Sequence, residues 1–214
     1  MNRWLAHPAA KPVLWTLLAL PLAWLVWGAV QGTLGPNPAE ALIRSLGDWT
    51  LRGLVLTLAI SPLRDVTGWH QLLRHRRAIG VATFIYATLH WLAYAWLDQG
   101  LDLEALLKDV AKRPFILVGT LAWLLLLPLA ATSFNRAIKA LGAKRWQALH
   151  KAIYAIALLA ILHFFWMRSG KQLYGEVAVY AVIVFVLLAW RVRRAWRSHA
   201  STPPGQRRKR LTAA

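Results

Sequence analysis

The chain has 214 residues, of which 58% are hydrophobic and only 16% charged, and it contains no cysteine. A soluble domain of this length carries more charge and shorter apolar runs, and without thiols the sequence excludes disulfides, thiolate-held iron–sulfur clusters and Cys-tethered c-type haem. The formal charge of +18 would point to nucleic acid in a soluble protein; beside recurrent runs of about 20 apolar residues, long enough to cross a hydrocarbon core, it reads instead as basic loops against anionic membrane lipid, with no nucleic-acid partner.

Backbone groups in lipid must be satisfied within the segment, so the spans are helices and the fold class is all-α, a polytopic bundle of six transmembrane helices. Residues 1–12 form a short N-terminal segment, and residues 13–32 a first span too long for a signal-peptide core and lacking a clear cleavage site. The second span, 49–66, is interrupted near its end by Pro62. The third covers 77–97, and Leu101 to Val110 after it reads as an amphipathic helix on the membrane surface. The fourth covers 114–132, the fifth 146–168 and the sixth 174–196, so that 13–196 forms one membrane domain; residues 197–214 are a basic tail expected to be disordered. No internal repeat is visible. Lys and Arg sort by side: 19 of the 26 fall at the N-terminus, the 2–3 and 4–5 loops and the C-terminal end, whereas seven of the eight acids fall on the opposite side. The positive-inside rule then puts both termini in the cytoplasm, as an even number of spans requires.

Ionisable residues inside a membrane are costly and mark function. Three of the seven histidines, His90, His150 and His163, lie within expected spans. On the third span Thr83, Tyr86, His90 and Tyr94 recur at three- and four-residue steps and form one polar stripe that should face the bundle interior. From the basic side, His90 and His163 lie at depths that differ by only roughly 6 Å at 1.5 Å per residue, so the two could clamp one haem iron. His150 lies about 20 Å from His163 along the fifth helix and some 140° around it; both face one cavity only if the helix is bent, or they serve different neighbours. A lone intramembrane His also serves simply as an interhelical hydrogen bond. His7, His70, His75 and His199 read as surface residues, although His75, with Arg76 and Arg77, shares the depth of His150. The run from Arg74 to Arg77 is a positive-inside anchor or, more sharply, a contact for haem propionates through Arg76 and Arg77. Asp48 and Arg52 are spaced for an ion pair. No phosphate-binding glycine motif is present.

Several stretches carry a family resemblance: Gly32-Thr-Leu-Gly35 before Asn37-Pro38, Arg76-Arg77-x-x-Gly80, Tyr86-Ala87-Thr88-Leu89-His90, Arg113-Pro114-Phe115, Trp146-Gln147-x-Leu149-His150-x-x-x-Tyr154 and Ile161-Leu162-His163-Phe164-Phe165-Trp166. Together they resemble the membrane haem subunits of the bacterial periplasmic methionine-sulfoxide reductase system (MsrQ, also called YedZ), within the wider ferric-reductase-like transmembrane group. The resemblance implies an inner-membrane b-type cytochrome with one or two haems. It would take electrons from quinol, or from a separate cytoplasmic flavin reductase, and pass them to a periplasmic molybdopterin-containing subunit that repairs oxidised proteins. It also implies FMN, for which no residue here marks a site. His90, His150 and His163 match the family's haem-ligand positions; Arg76 stands where a fourth histidine would complete a second bis-histidine site. Roughly 18 residues follow the sixth span, too few for a flavin or nicotinamide domain, so substrate catalysis is expected in a partner. The alternatives are a ferric reductase-type cytochrome with another acceptor, and a haem-free proton-coupled transporter, which would want more buried acids.

Overall fold

The computed structural model describes residues 3–170, 172 and 174–200. Among these residues every regular element is helical: α1 (Arg3–Ala6), α2 (Ala10–Val30), α3 (Pro38–Thr67), α4 (Leu73–Ala93), α5 (Leu103–Lys112), α6 (Pro114–Ala131), α7 (Asn135–His150), α8 (Ala152–Ser169) and α9 (Tyr174–Ala200). Five stretches are long and apolar enough to cross a membrane, carried by α2, by α4 with its extension to Asp98, by α6, by α7 with α8, and by α9. The second expected span is present as a helix but is less apolar and begins earlier, at Pro38. Its start is built by Asn37, whose side-chain oxygen accepts the Glu40 N–H at 3.1 Å and whose amide bonds the Glu40 carboxylate at 3.2 Å, with Pro38 in the first turn. Gly68 ends it in the left-handed conformation at φ 72°. The expected tail beyond residue 200 lies outside the described residues, and α9 runs past the expected end at 196.

Two antiparallel pairs organise the bundle. α3 lies along α4 and α6 along α8; α4 against α6 joins the pairs, α9 flanks α8 and α3, and α2 rests on the edge of α3 and α4. The core runs through the pairs, with Leu54, Leu58, Ile156, Ala157 and Val184 at 2% exposure or less, while Trp24, Val30, Val182 and Phe185 are exposed on the outer faces, as expected of lipid-facing helices. Prolines inside the long helices are accommodated by neighbours. Pro62 has no N–H for the Leu58 carbonyl, and Arg191 of α9 supplies the missing donor, Nη2 to Leu58 O at 2.5 Å. Beside Pro21, the Tyr86 hydroxyl enters the α2 ladder, donating to Leu18 O at 2.8 Å and accepting from Leu22 N at 3.0 Å.

The join between α4 and α6 is reciprocal. Trp91 and Trp123 stack at 4.7 Å and 9°. Trp91 Nε1 donates to Thr120 Oγ1 at 3.4 Å, and Trp123 Nε1 to Thr88 Oγ1 at 3.1 Å. The two helices thus present the same Thr-Leu-x-Trp pattern, Thr88-Leu-His-Trp91 and Thr120-Leu-Ala-Trp123, a local repeat that the hydropathy pattern did not disclose.

Candidate functional site

The polar stripe on α4 faces inward. Thr83, Tyr86 and Tyr94 are buried and His90 half-buried. After Ala93 the helix widens into a π-turn, Tyr94–Asp98, which aims the Tyr94 hydroxyl at Asp109 Oδ2, 2.7 Å away, and so seats the surface helix α5. Asp109 also pairs with Arg113 at 2.9 Å. Of α5 only Leu106 is buried, and Leu103 and Leu107 are exposed.

His90 of α4 and His163 of α8 are brought together, with ring centroids 6.2 Å apart and ring planes at 77°. Each is held from behind. His90 Nδ1 bonds the Ile43 carbonyl of α3 at 2.8 Å, and His163 Nδ1 bonds the Phe115 carbonyl of α6 at 2.6 Å. A carbonyl only accepts, so Nδ1 carries the proton in both rings and Nε2 carries the lone pair. Neither Nε2 has a hydrogen-bond partner among the described residues. Two imidazoles each held through Nδ1, with Nε2 unbonded among the described residues, can offer two nitrogen donors to a metal. Five residues beyond His163, Arg168 pairs with Glu176 at 2.9 Å and lies over Phe164, and its buried Nε has no hydrogen-bond partner among the described residues.

His150 is elsewhere. It stacks on Trp146 at 4.0 Å, and its Nε2 lies 3.1 Å from Thr132 Oγ1. With Arg76, Arg77, Trp146, Lys151 and Tyr154 it lines a cavity of about 460 Å³ at the basic end of the bundle. His150 and His163 therefore serve opposite ends of the same neighbour, α6, through Thr132 and Phe115. The chain between them is not a uniform helix: i→i+3 bonds from Lys151 N to Ala148 O and from Tyr154 N to Lys151 O tighten the junction of α7 and α8, which changes the angle that a straight helix would impose.

The pattern of the family described as ferric reductase like transmembrane component matches residues 46–161. The chain is 56% identical to the haem-binding subunit MsrQ of protein-methionine-sulfoxide reductase from Polaromonas naphthalenivorans, with 91% of this chain and 89% of the relative covered. It is 47% identical to MsrQ from Azospira oryzae, with 92% and 86% covered. The chain belongs to the MsrQ family of ferric-reductase-like transmembrane proteins. It is also 43% identical to the magnetosome protein MamZ from Magnetospirillum gryphiswaldense, of which it spans only 29%. No solved structure matches. The matched family segment holds His90 and His150 and stops two residues before His163.

Arg76 is half-buried in the cavity wall; Arg77 is exposed, also lines the cavity, and donates to Asn135 Oδ1 at 2.7 Å. His7 and His70 are exposed, and the side chain of His199 lies outside the described residues. His75 is not a surface residue: it is 5% exposed, with Nε2 3.0 Å from Leu5 O, because α1 folds over the start of α4. Arg52 forms no ion pair with Asp48 among the described residues; it lies 4.6 Å over Trp49 and reaches Tyr180 Oη at 3.4 Å. The sequence reading missed Gly47 and Gly119, which lie against the two facing imidazoles. Their signal was available only as glycine in the interior of a helix, where it costs stability and needs a reason.

Proposed function

We propose that this chain is a haem b electron-transfer subunit of the bacterial inner membrane. In this reading, α2, α3, α4, α6, α8 and α9 are six spans of one domain covering 13–196, with both termini cytoplasmic. The observation that carries the reading is the 6.2 Å separation of the His90 and His163 rings. His90 and His163 would each supply one imidazole nitrogen to a haem iron, and at about 2 Å per metal–nitrogen bond their ring centroids would lie roughly 6 Å apart. Among the described residues no group of three or more His, Asp or Glu converges. A bare ion would find too few ligands there, whereas an iron whose equatorial positions are filled by a macrocycle needs two. The residues present fit the group: backbone carbonyls fix both Nδ1–H tautomers and leave each Nε2 without a hydrogen-bond partner among the described residues.

When bound, haem supplies one-electron cycling between ferric and ferrous iron. The backbone carbonyls of Ile43 and Phe115 hold both imidazoles oriented, and each Nε2 would be the nitrogen offered to the group. His150 opens toward the basic cavity, where Arg76 and Arg77 would meet the carboxylates or phosphate of a second group, haem or FMN. Electrons enter on that side from quinol or a separate flavin reductase. They leave at the acidic end to a methionine-sulfoxide reductase, the partner that the relatives' names imply, which in this reading is periplasmic and molybdopterin-containing. In membranes, quinol-reduced protein is reoxidised rapidly when that partner and a sulfoxide are added. If the reduced spectrum is unchanged by the partner but is discharged by ferric chelates, the acceptor assignment fails and the ferric-reductase reading replaces it.

A further inference from the structure

Gly47 and Gly119 occupy equivalent places in two different helix pairs. On α3 the carbonyl that accepts His90 Nδ1 belongs to Ile43, four residues before Gly47; on α6 the carbonyl that accepts His163 Nδ1 belongs to Phe115, four residues before Gly119. In an α-helix the Cβ of residue i+4 tilts back over the preceding turn, so it stands beside the carbonyl of residue i. That is where each imidazole lies. A Cβ added at Gly47 would meet His90 Cε1 at 3.1 Å and Nδ1 at 3.2 Å. A Cβ added at Gly119 would meet His163 Nδ1 at 2.7 Å and Cε1 at 2.8 Å. These neighbours are not loose chain ends: each ring is tied to its own helix at one side and to the carbonyl at the other.

We propose that Gly47 and Gly119 are positioning residues, each opening one helix carbonyl to a histidine Nδ1–H and thereby fixing the tautomer, rotation and spacing of the His90–His163 pair. The inference rests on reading that pair as the iron ligands, but its geometric content is the ring placement itself. The motif is a helix carbonyl followed four residues later by glycine. It recurs on two helices that approach the pair from different sides. The severity differs, because the contact at Gly119 is shorter than any real Cβ makes and that at Gly47 is only tight.

A third glycine supplies the control. A Cβ at Gly53 would meet Thr83 Oγ1 at 2.5 Å, an equally harsh clash between α3 and α4 that touches no histidine. Wild type, Gly47→Ala, Gly119→Ala and Gly53→Ala are purified and compared by ferric EPR, midpoint potential and CO binding after dithionite reduction. Wild type, with both axial sites filled, stays inert to CO. Gly119→Ala loses haem or binds CO, at a rate at least about tenfold above the wild-type background, with altered g values. Gly47→Ala shifts the same signals less. Gly53→Ala unfolds at lower temperature but keeps wild-type g values and CO inertness. If Gly119→Ala does not fold, the milder Gly47→Ala decides. Should wild type itself carry no haem, the ligand reading fails separately, and ¹⁵N NMR of the histidines still tests the geometry: wild type shows two Nδ1–H tautomers, and each alanine variant loses its own. The proposal is overturned if both alanine variants keep the wild-type signals, or if Gly53→Ala reproduces their changes.

Discussion

The clasp between α4 and α6 offers a quantitative test of how the bundle is held. Thr88→Val keeps the shape of the side chain and removes the acceptor for Trp123 Nε1; Trp123→Phe keeps an aromatic ring and removes the donor. Interhelical hydrogen bonds in membranes average about 0.6 kcal/mol and reach about 1.7. The Thr88–Trp123 bond, at 3.1 Å, lies within the normal range, whereas Thr120–Trp91, at 3.4 Å, lies beyond it. A double-mutant cycle on Thr88 and Trp123 is therefore expected to give a coupling of about 1 kcal/mol, roughly fivefold in the folding equilibrium. The cycle on Thr120 and Trp91 should give clearly less. Stacking of the two indoles adds about 0.5–1.5 kcal/mol, so Trp123→Phe alone costs more than Thr88→Val alone. Reversible unfolding in mixed micelles measures all four terms. A Thr88–Trp123 coupling within the roughly 0.3 kcal/mol by which independent sites add, or a larger coupling for the longer bond, would refute the reasoning.

His90→Ala and His163→Ala each remove one axial nitrogen and are expected to abolish the low-spin spectrum, while His7→Ala leaves it intact; normal spectra in both intramembrane variants would overturn the ligand assignment, and partial haem loss in His150→Ala would indicate a second haem at the basic cavity. Reporter fusions after residue 200 and near Gly142 are expected in the cytoplasm and fusions near Gly100 in the periplasm; a periplasmic signal after residue 200 contradicts six spans. Asp98, Asp102 and Glu104 are exposed around the start of α5, so charge reversal at Asp102 and Glu104 should slow reoxidation by the periplasmic partner in a salt-dependent way; equal rates at low salt would remove α5 from the docking surface.

The long helices were legible because lipid imposes length and apolar composition on each span, and the α4 stripe because polar residues at helical spacing have one place to go. The start of α3 was misplaced for the same reason: Glu40, Arg44, Asp48 and Arg52 interrupt its apolar run. Yet Asn37, Pro38 and Glu40 spell a helix start independently of hydropathy. His75 read as exposed because nothing local announces that α1 covers it. The pairing of His90 with His163 followed from depth, but the carbonyls behind them did not, since a backbone acceptor on another helix leaves no mark in the sequence beyond the glycine that exposes it.

The central claim is that His90 and His163 hold one low-spin haem b. The absorption spectrum of purified protein, oxidised and then dithionite-reduced, tests it most directly. Sharp b-type reduced bands are expected, with haem extractable into acid–acetone because no cysteine tethers it. A colourless preparation from haem-replete cells would contradict it.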